Sequence, residues 1–247
     1  MTAGWLHEIF RSVQGEGIYT GVMQVFVRFS GCGLACSYCD TEASKERSES
    51  CTFRMPGGEV ELENPVGPEA AATLTLSLAA MPGTHSISIT GGEPLEQPEF
   101  LGEFLTLMRR GGLPIYLETN GLDTASLEDV LPLVDIISLD IKLPSLCGGD
   151  NIFPAYRETL NIAIDKDIFC KIVVPGGTDM DEFGEAVRLI AEIDAGIPLV
   201  IQPATPVGAA FPPDPQTLLD MAAMAAPLLA EVRIIPCLLY TYPSPRD

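Results

Sequence analysis

The chain has 247 residues and is 47% hydrophobic, which is enough for one sizeable core and demands no second domain. Its formal charge of −20, from 34 acidic residues against 14 Lys or Arg, disfavours nucleic acid backbones and anionic membranes as partners. The chain has seven cysteines, no basic and apolar export signal at its start, and no apolar run of about 18 residues. We therefore expect a cytoplasmic protein without a disulfide framework or a membrane span.

The first distinctive segment is residues 8–21, which read E-I-F-R-S-V-Q-G-E-G-I-Y-T-G. Its glycines and interspersed polar residues predict an irregular loop, which is either a surface turn or a ligand contact. Residues 22–29 are rich in β-branched and aromatic side chains and are predicted to form a strand. Arg28 lies near the end of this strand, where its head must reach solvent or pair with an anion. Because a cysteine-rich loop follows at once, we expect Arg28 to contact a substrate.

That loop, residues 29–41, reads F-S-G-C-G-L-A-C-S-Y-C-D-T and carries Cys32, Cys36 and Cys39. Thiolates are soft ligands that suit iron–sulfur clusters, zinc and copper. Three thiolates on one short loop can hold three irons of a cubane and leave the fourth iron open. The alternative is a zinc site, but the loop lacks a fourth ligand at the spacing usual for zinc.

The polar stretch 42–68 is expected to leave the core, and the alanine- and leucine-rich residues 68–80 predict a helix. Together they form an inserted excursion near 42–80. Cys51 lies within it and is expected to be structural or free rather than a metal ligand.

A short predicted strand, residues 86–90, runs directly into Gly91, Gly92, Glu93 and Pro94. A strand that ends in two glycines exposes backbone groups, which a ligand can approach closely. Glu93 then offers a carboxylate suited to an ammonium group. Alone, this pattern is also typical of an ordinary turn between a strand and a helix.

The remaining chain alternates between strand-like and helix-like patterns. Strands are predicted at 115–117, 135–143, 169–175, 199–203 and 231–235, and helices at 98–110, 127–133, 151–166, 179–193 and 215–229. Sustained alternation implies an α/β fold with a mostly parallel sheet. With about six core strands, fewer than the eight of a full barrel, we predict a partial (β/α) barrel, with an open doubly wound sheet as the alternative.

Taken together, the Cys-x₃-Cys-x₂-Cys loop and the strand-borne G-G-E-P resemble the radical S-adenosylmethionine (SAM) superfamily. The resemblance implies a [4Fe-4S] cluster, a SAM molecule held by the open iron, and an electron donor such as flavodoxin or ferredoxin. The protein would then bind and orient the cluster, SAM and the substrate, while the cofactors carry the radical chemistry.

Within that superfamily, the segments E-I-F-R-S-V-Q-G-E-G, C-D-T, E-T-N-G, D-I-K and Q-P resemble the 7-carboxy-7-deazaguanine synthase (QueE) family. The family converts 6-carboxy-5,6,7,8-tetrahydropterin to 7-carboxy-7-deazaguanine with loss of ammonia, a step towards queuosine and archaeosine. The resemblance implies a homodimer that needs Mg²⁺. Two alternatives remain: another radical SAM enzyme, such as an activase of a glycyl-radical protein, or a non-catalytic homologue that binds the cluster.

Matching positions imply roles for individual residues. Cys32, Cys36 and Cys39 would bind the cluster, and Thr41 would bind Mg²⁺, a hard cation that prefers oxygen ligands. Arg28 would bind the substrate carboxylate as a guanidinium fork. Further substrate contacts are implied for Val13, Gln14, Gly15 and Thr90. Contacts to the cofactor are implied for Ser37, Tyr38, Gly91, Gly92, Glu93, Ser138, Asp140, Lys142, Gln202 and Thr205.

The end of the chain departs from this family. Its members usually finish with a stretch like I-P-Q-x-H-K, whereas here Ile235 and Pro236 are followed by Cys237 and L-L-Y-T-Y-P-S-P-R-D. We therefore expect one radical SAM domain over residues 1–236. Residues 237–247 resemble a translated sequencing adapter fused to a truncated reading frame.

Overall fold

The computed structural model describes residues 2–238, and the structural statements below concern these residues. The strands are β1 (Leu6–Val13), β2 (Met23–Phe29), β3 (Ser50–Met55), β4 (Gly58–Glu63), β5 (Ser86–Gly91), β6 (Ile115–Thr119), β7 (Ile136–Asp140), β8 (Asp167–Val174), β9 (Leu199–Pro203) and β10 (Val232–Ile234). The α-helices are α1 (Pro68–Ala79), α2 (Pro98–Met108), α3 (Thr124–Val130), α4 (Phe153–Ala163), α5 (Met180–Asp194) and α6 (Pro215–Ala225). None of the helices within residues 2–238 has the length and apolar character needed to cross a membrane.

All ten strands belong to one sheet, in the order β10-β9-β8-β7-β6-β5-β2-β1-β3-β4. Strand β2 pairs in parallel with β5, and from β5 to β10 each strand pairs in parallel with the next along the chain. A doubly wound sheet would instead reverse its strand order at a switch point. The parallel strands β2 and β5 to β10 follow one another in a single direction across the sheet, as in a barrel, while β4 and β10 remain at opposite edges. The predicted partial barrel is therefore confirmed, with seven parallel strands in place of about six.

The parallel strands are buried on both faces. All five residues of β7 are buried, as are most residues of β8, which is typical of a sheet covered by crossover helices. Each of the six helices contacts the next one in sequence. In α5, the buried residues Phe183, Val187 and Ile190 recur at helical spacing and pack into the main core. Because every crossover returns the chain in the same direction, the carboxyl ends of the seven strands meet at one edge.

The prediction of an irregular loop over residues 8–21 is wrong for its first half. Residues 6–13 form β1, which pairs antiparallel with β2 and buries Ile9 and Phe10. Only the later part is a loop, in which the Gln14 N–H donates to the Val22 carbonyl and the Gly21 N–H to the Gln14 carbonyl, both at 2.8 Å. The glycines mark this turn, whereas the strand before it is decided by its partner β2.

The excursion near 42–80 does not leave the core, because β3 pairs in parallel with β1 and β4 pairs with β3. Cys51 and Phe53 of β3 are buried in the main hydrophobic core. Burial raises the pKa of the Cys51 thiol to about 12. Cys51 is therefore a structural cysteine, as expected.

Candidate active site

A cavity lies at the carboxyl edge of the parallel strands, with the cysteine loop as one wall. Most of the residues singled out from the sequence line it: Gln14, Arg28, Cys32, Cys36, Tyr38, Cys39, Thr41, Thr90, Gly91, Gly92, Glu93, Asp140, Lys142, Gln202 and Thr205. Residues from distant parts of the chain thus meet as the superfamily resemblance implied. The remaining predicted residues do not line the cavity: Val13, Gly15, Ser37 and Ser138.

The four residues outside the lining have other surroundings. Val13 ends β1, and the Gly15 carbonyl accepts from the Leu238 N–H at 2.8 Å. Ser37 donates its backbone N–H to the Leu146 carbonyl at 3.0 Å. Ser138 is buried in β7, two residues before Asp140 and so on the same face of the strand. Its side chain hydrogen-bonds the side chain of Tyr116.

Backbone hydrogen bonds hold the cysteine loop at both ends. The Gly33 N–H donates to Glu96 Oε1 at 2.7 Å, and the Cys32 N–H donates to the Lys45 carbonyl at 3.1 Å. On the other side, the Ser37–Leu146 hydrogen bond ties the loop to the turn after β7. The loop is therefore positioned by segments that follow it in the chain rather than by its own short sequence.

The donor set fits an iron–sulfur cluster better than a single ion. Cys32, Cys36 and Cys39 all line the cavity and are partly exposed to it. Within residues 2–238, no three His, Cys, Asp or Glu side chains converge on a point where one metal ion could sit. A cubane places each thiolate on a different iron, so its ligands surround the cluster without converging. Three separated thiols on one wall match that requirement, and a tetrahedral zinc site does not.

A fourth thiol lies beside this loop. Cys147 Sγ is 2.9 Å from Cys36 Sγ, in the turn that also accepts the Ser37 N–H. Its hydrogen bond is the main reason that the pKa of Cys36 falls to about 7, which favours the thiolate. Sequence reasoning missed Cys147 because 111 residues separate it from Cys36, and no motif spacing connects them.

The Gly91–Gly92 turn brings the end of β5 against the cysteine loop. Gly91 has φ +90°, which suits glycine, and a Cβ on it would lie 2.0 Å from Arg28 Cγ. A Cβ on Gly92 would lie 2.0 Å from the Gly31 carbonyl oxygen. The two glycines are therefore needed for the close approach of Arg28 and of the Gly31 backbone. The predicted approach of a ligand to this turn stays a prediction.

Glu93 is buried behind this turn and already has protein donors. Its carboxylate accepts from Thr119 Oγ1 at 2.6 Å, from the Asn120 N–H at 2.8 Å and from the Leu95 N–H at 3.1 Å. Burial raises the pKa of Glu93 to about 7, although these hydrogen bonds oppose the rise. A bound ammonium group would favour its ionised form.

Arg28 is buried and paired, and its head does not reach solvent. Its Nε donates to Glu8 Oε1 at 2.9 Å, and Glu8 also pairs with Arg54. Arg28 nevertheless lines the cavity. A guanidinium carries five N–H donors, so Glu8 orients Arg28 without using its full capacity.

Asp140 and Lys142 form an ion pair at 2.7 Å next to the cysteine loop, and Lys142 Nζ lies 5.4 Å from the centre of the Tyr38 ring. Lys142 is therefore not a solvated strand end. Among residues 2–238, the buried oxygens Asp140 Oδ1 and Gln202 Oε1 have no hydrogen-bond partner. Both residues line the cavity, so these acceptors suit a ligand that carries hydroxyl or amino donors.

A buried charge cluster was missed from the sequence. Lys171 Nζ lies 2.5 Å from Glu16 Oε2, 2.6 Å from Glu118 Oε1 and 3.3 Å from Asp140 Oδ2. Although burial opposes its charged form, these carboxylates raise the pKa of Lys171. The pKa of Glu118 falls to about 2, because Lys171 outweighs the effect of burial. The available signal was a single charge in an otherwise apolar strand, which must be paired when buried.

The first residues of the unusual tail also reach the cavity. Cys237 is buried and contributes to the lining, and the next residue, Leu238, donates its N–H to the Gly15 carbonyl. Residues 239–247, which complete the segment expected to be foreign, lie outside the described residues.

Known proteins resemble this chain both in sequence and in fold. Residues 26–190 match the Radical SAM superfamily. A 7-carboxy-7-deazaguanine synthase of Geobacter sulfurreducens is 43% identical over 236 residues, which cover 94% of each chain. One of Methanopyrus kandleri is 36% identical over 239 residues, which cover 94% of this chain and 90% of the relative.

Among solved structures, QueE from Escherichia coli superposes with a TM-score of 0.60 at 18% identity, covering 93% of this chain and 92% of that one. At this identity the superposition supports the shared fold alone, whereas the two sequence relatives support family membership. The chain therefore belongs to the radical SAM superfamily and, within it, to the family of 7-carboxy-7-deazaguanine synthases.

Proposed function

We propose that this chain is a 7-carboxy-7-deazaguanine synthase, which converts 6-carboxy-5,6,7,8-tetrahydropterin to 7-carboxy-7-deazaguanine with loss of ammonia. The observation that carries the proposal is that Arg28, Thr41 and the three motif cysteines line one cavity. Family membership supports the same reaction, since both sequence relatives carry this name.

Cys32, Cys36 and Cys39 hold the cluster in this proposal. When bound, the cluster and SAM would together supply the radical chemistry of the reaction. The glycine turn allows SAM to approach the protein backbone closely. Glu93 accepts its ammonium group, while Asp140 Oδ1 and Gln202 Oε1 offer acceptors for its remaining donors.

Arg28 and Thr41 hold the substrate carboxylate in this proposal. Arg28 is oriented by Glu8 and lines the cavity, and its guanidinium suits recognition of a carboxylate. Thr41, whose Oγ1 lies 3.9 Å from Cys39 Sγ, offers a hydroxyl oxygen to Mg²⁺. Thr41 would thus help to hold a Mg²⁺ ion, which would supply positive charge for a carboxylate ligand.

The finer assignments follow the family resemblance. We propose that the enzyme is a cytoplasmic homodimer, that it receives electrons from a flavodoxin or ferredoxin, and that residues 1–236 act as one domain. The high negative charge supports the absence of a nucleic acid partner, because phosphate backbones repel such a surface.

The proposal is tested by anaerobic reconstitution of the cluster. The enzyme is given reductant, SAM, Mg²⁺ and the carboxy-tetrahydropterin, and the deazaguanine product is followed by absorbance. We expect the deazaguanine to form only when the carboxy-tetrahydropterin is present. If 5′-deoxyadenosine forms without the deazaguanine, the superfamily chemistry stands and the substrate assignment fails.

A further inference from the structure

We propose that Lys171 is a positioning residue, which holds the carboxylates of Glu16 and Glu118 as paired acceptors for the N–H donors of the bound substrate ring. The inference rests on the proposed function, because it concerns the same cavity. Lys171 is buried and belongs to neither the cysteine loop nor the glycine turn.

Lys171 joins three segments that are far apart in sequence. Glu16 belongs to the loop after β1, Glu118 to the end of β6 and Asp140 to the end of β7, while Lys171 lies within β8. An ammonium group has three N–H donors, and three carboxylates surround this one. Lys171 therefore fixes the loop after β1 against the carboxyl ends of two strands.

The two glutamates are more exposed than the lysine. The side chain of Lys171 is 3% exposed, whereas those of Glu16 and Glu118 are 19% and 21% exposed, and all three residues line the cavity. The ammonium is thus less accessible than the two carboxylates. A ligand in the cavity meets carboxylate oxygens first, and these accept hydrogen bonds and do not donate them when ionised.

Glu118 also connects this cluster with a residue expected to contact substrate. Its Oε1 accepts from Lys171 and its Oε2 accepts from Thr90 Oγ1 at 2.8 Å. Lys171 thereby fixes the orientation of one carboxylate, and through it the hydroxyl of Thr90. The reduced pterin ring carries amino and ring N–H groups, which is the donor chemistry that such acceptors recognise.

The positive charge of Lys171 keeps the two glutamates ionised as acceptors. Three carboxylates surround Lys171, and Lys142 pairs with one of them, Asp140. Two positive groups therefore face three negative ones, which leaves one negative charge beside the cavity. Without Lys171, Glu16 and Glu118 would repel each other in a buried setting, and one of them would take up a proton and cease to be a pure acceptor.

The loss of Lys171 affects the two halves of the site differently. Asp140 lies closer to Lys142, at 2.7 Å, than to Lys171, at 3.3 Å. Without Lys171, Asp140, which we assign to SAM binding, therefore keeps its ion pair with Lys142. Glu118 is held by Lys171 at 2.6 Å, and Glu16 at 2.5 Å. If Lys171 positions the glutamates, its loss weakens substrate binding more than SAM binding. If Lys171 is merely structural, its loss weakens both together.

The experiment compares Lys171→Met with Lys171→Arg and with the control Lys166→Met. Lys166 donates to the Val134 carbonyl and does not line the cavity. Equilibrium binding of the carboxy-tetrahydropterin and of SAM is measured separately on reconstituted enzyme without reductant, together with iron content. Turnover is measured in parallel.

We expect Lys171→Met to weaken substrate binding about tenfold or more, as for the loss of a charge-assisted hydrogen bond, and SAM binding less than about threefold. Lys171→Arg restores part of the substrate affinity because it keeps the charge, and Lys166→Met changes neither affinity. Equal weakening of both ligands, or unchanged substrate affinity in Lys171→Met, overturns the inference.

If Lys171→Met does not fold, Glu118→Gln tests the same point. This variant keeps the size of the side chain and replaces one accepting oxygen by a donor, so we expect the same selective loss of substrate affinity. Unchanged substrate affinity in Glu118→Gln also overturns the inference. If the wild-type enzyme binds SAM but not the pterin, the proposed function fails, and that result is distinct from a failure confined to the variants.

Discussion

The backbone N–H of Glu93 donates to the Gly31 carbonyl at 2.7 Å, and this hydrogen bond joins the glycine turn after β5 to the start of the cysteine loop. The Gly92 N–H reinforces the contact by donating to the Phe29 carbonyl at 2.9 Å. Two motifs about 60 residues apart in the chain therefore form one wall of the cavity. The glycine turn and the cysteine loop therefore leave no space for a side chain at Gly92.

Gly92→Ala is expected to disrupt the cysteine loop. An added Cβ would meet the Gly31 carbonyl oxygen at 2.0 Å, and a backbone atom cannot move aside as a side chain can. We expect lower iron content after reconstitution and a loss of roughly 1–3 kcal/mol in the free energy of unfolding. Gly102→Ala is the control, because nothing lies within 4 Å of its added Cβ. Full iron loading in Gly92→Ala would contradict the prediction.

Only the three motif cysteines are expected to be needed for the cluster. Cys36→Ala should lose bound iron, whereas Cys147→Ala should retain it, although the two sulfurs lie 2.9 Å apart. Iron and sulfide analysis with electron paramagnetic resonance of the reduced protein measures the difference. Loss of the cluster in both variants would show that Cys147 is required for cluster binding.

Arg28→Lys is expected to weaken substrate binding while leaving the cluster intact. A lysine keeps the charge but lacks the planar fork that matches a carboxylate. We expect a loss of about tenfold or more in affinity for the carboxy-tetrahydropterin, from one charge-assisted hydrogen bond. Arg54→Lys is the matched control, because Arg54 also pairs with Glu8 but does not line the cavity. Similar losses in both variants would indicate a general effect of the Glu8 ion pairs.

Glu93 is expected to make stability depend on pH. Burial raises its pKa in the folded protein from 4.5 to about 7. Between these values the folded protein binds the extra proton, so its stability falls as pH rises through this range. The contribution over the whole range is roughly 3–4 kcal/mol, since each pKa unit corresponds to about 1.4 kcal/mol.

Urea unfolding of the metal-free protein at about pH 5 and about pH 7 measures this effect. The fall in stability between the two values should be smaller in Glu93→Gln, which cannot ionise, and unchanged in Glu99→Gln, which alters an exposed residue of α2. Equal falls in the wild-type protein and Glu93→Gln would assign the pH dependence to other groups.

Local sequence was sufficient for the repeating strand and helix pattern and for the two motifs. The spacing of Cys32, Cys36 and Cys39 is a property of one short loop, and the two glycines follow directly on their strand. Strand boundaries such as Leu199–Pro203 agree with the prediction, because buried parallel strands are continuous apolar runs. Strand β1 was not predicted, because the glycine-rich residues beside it concealed its pairing with β2.

The contacts between distant residues were decided only by the tertiary structure. Lys171 meets Glu16 across 155 positions, and Cys147 meets Cys36 across 111. No local pattern encodes such pairs, since they arise when successive parallel strands bring their carboxyl ends to one edge. A buried charge in an apolar strand indicates that a partner must exist, but only the folded sheet determines which residues provide it.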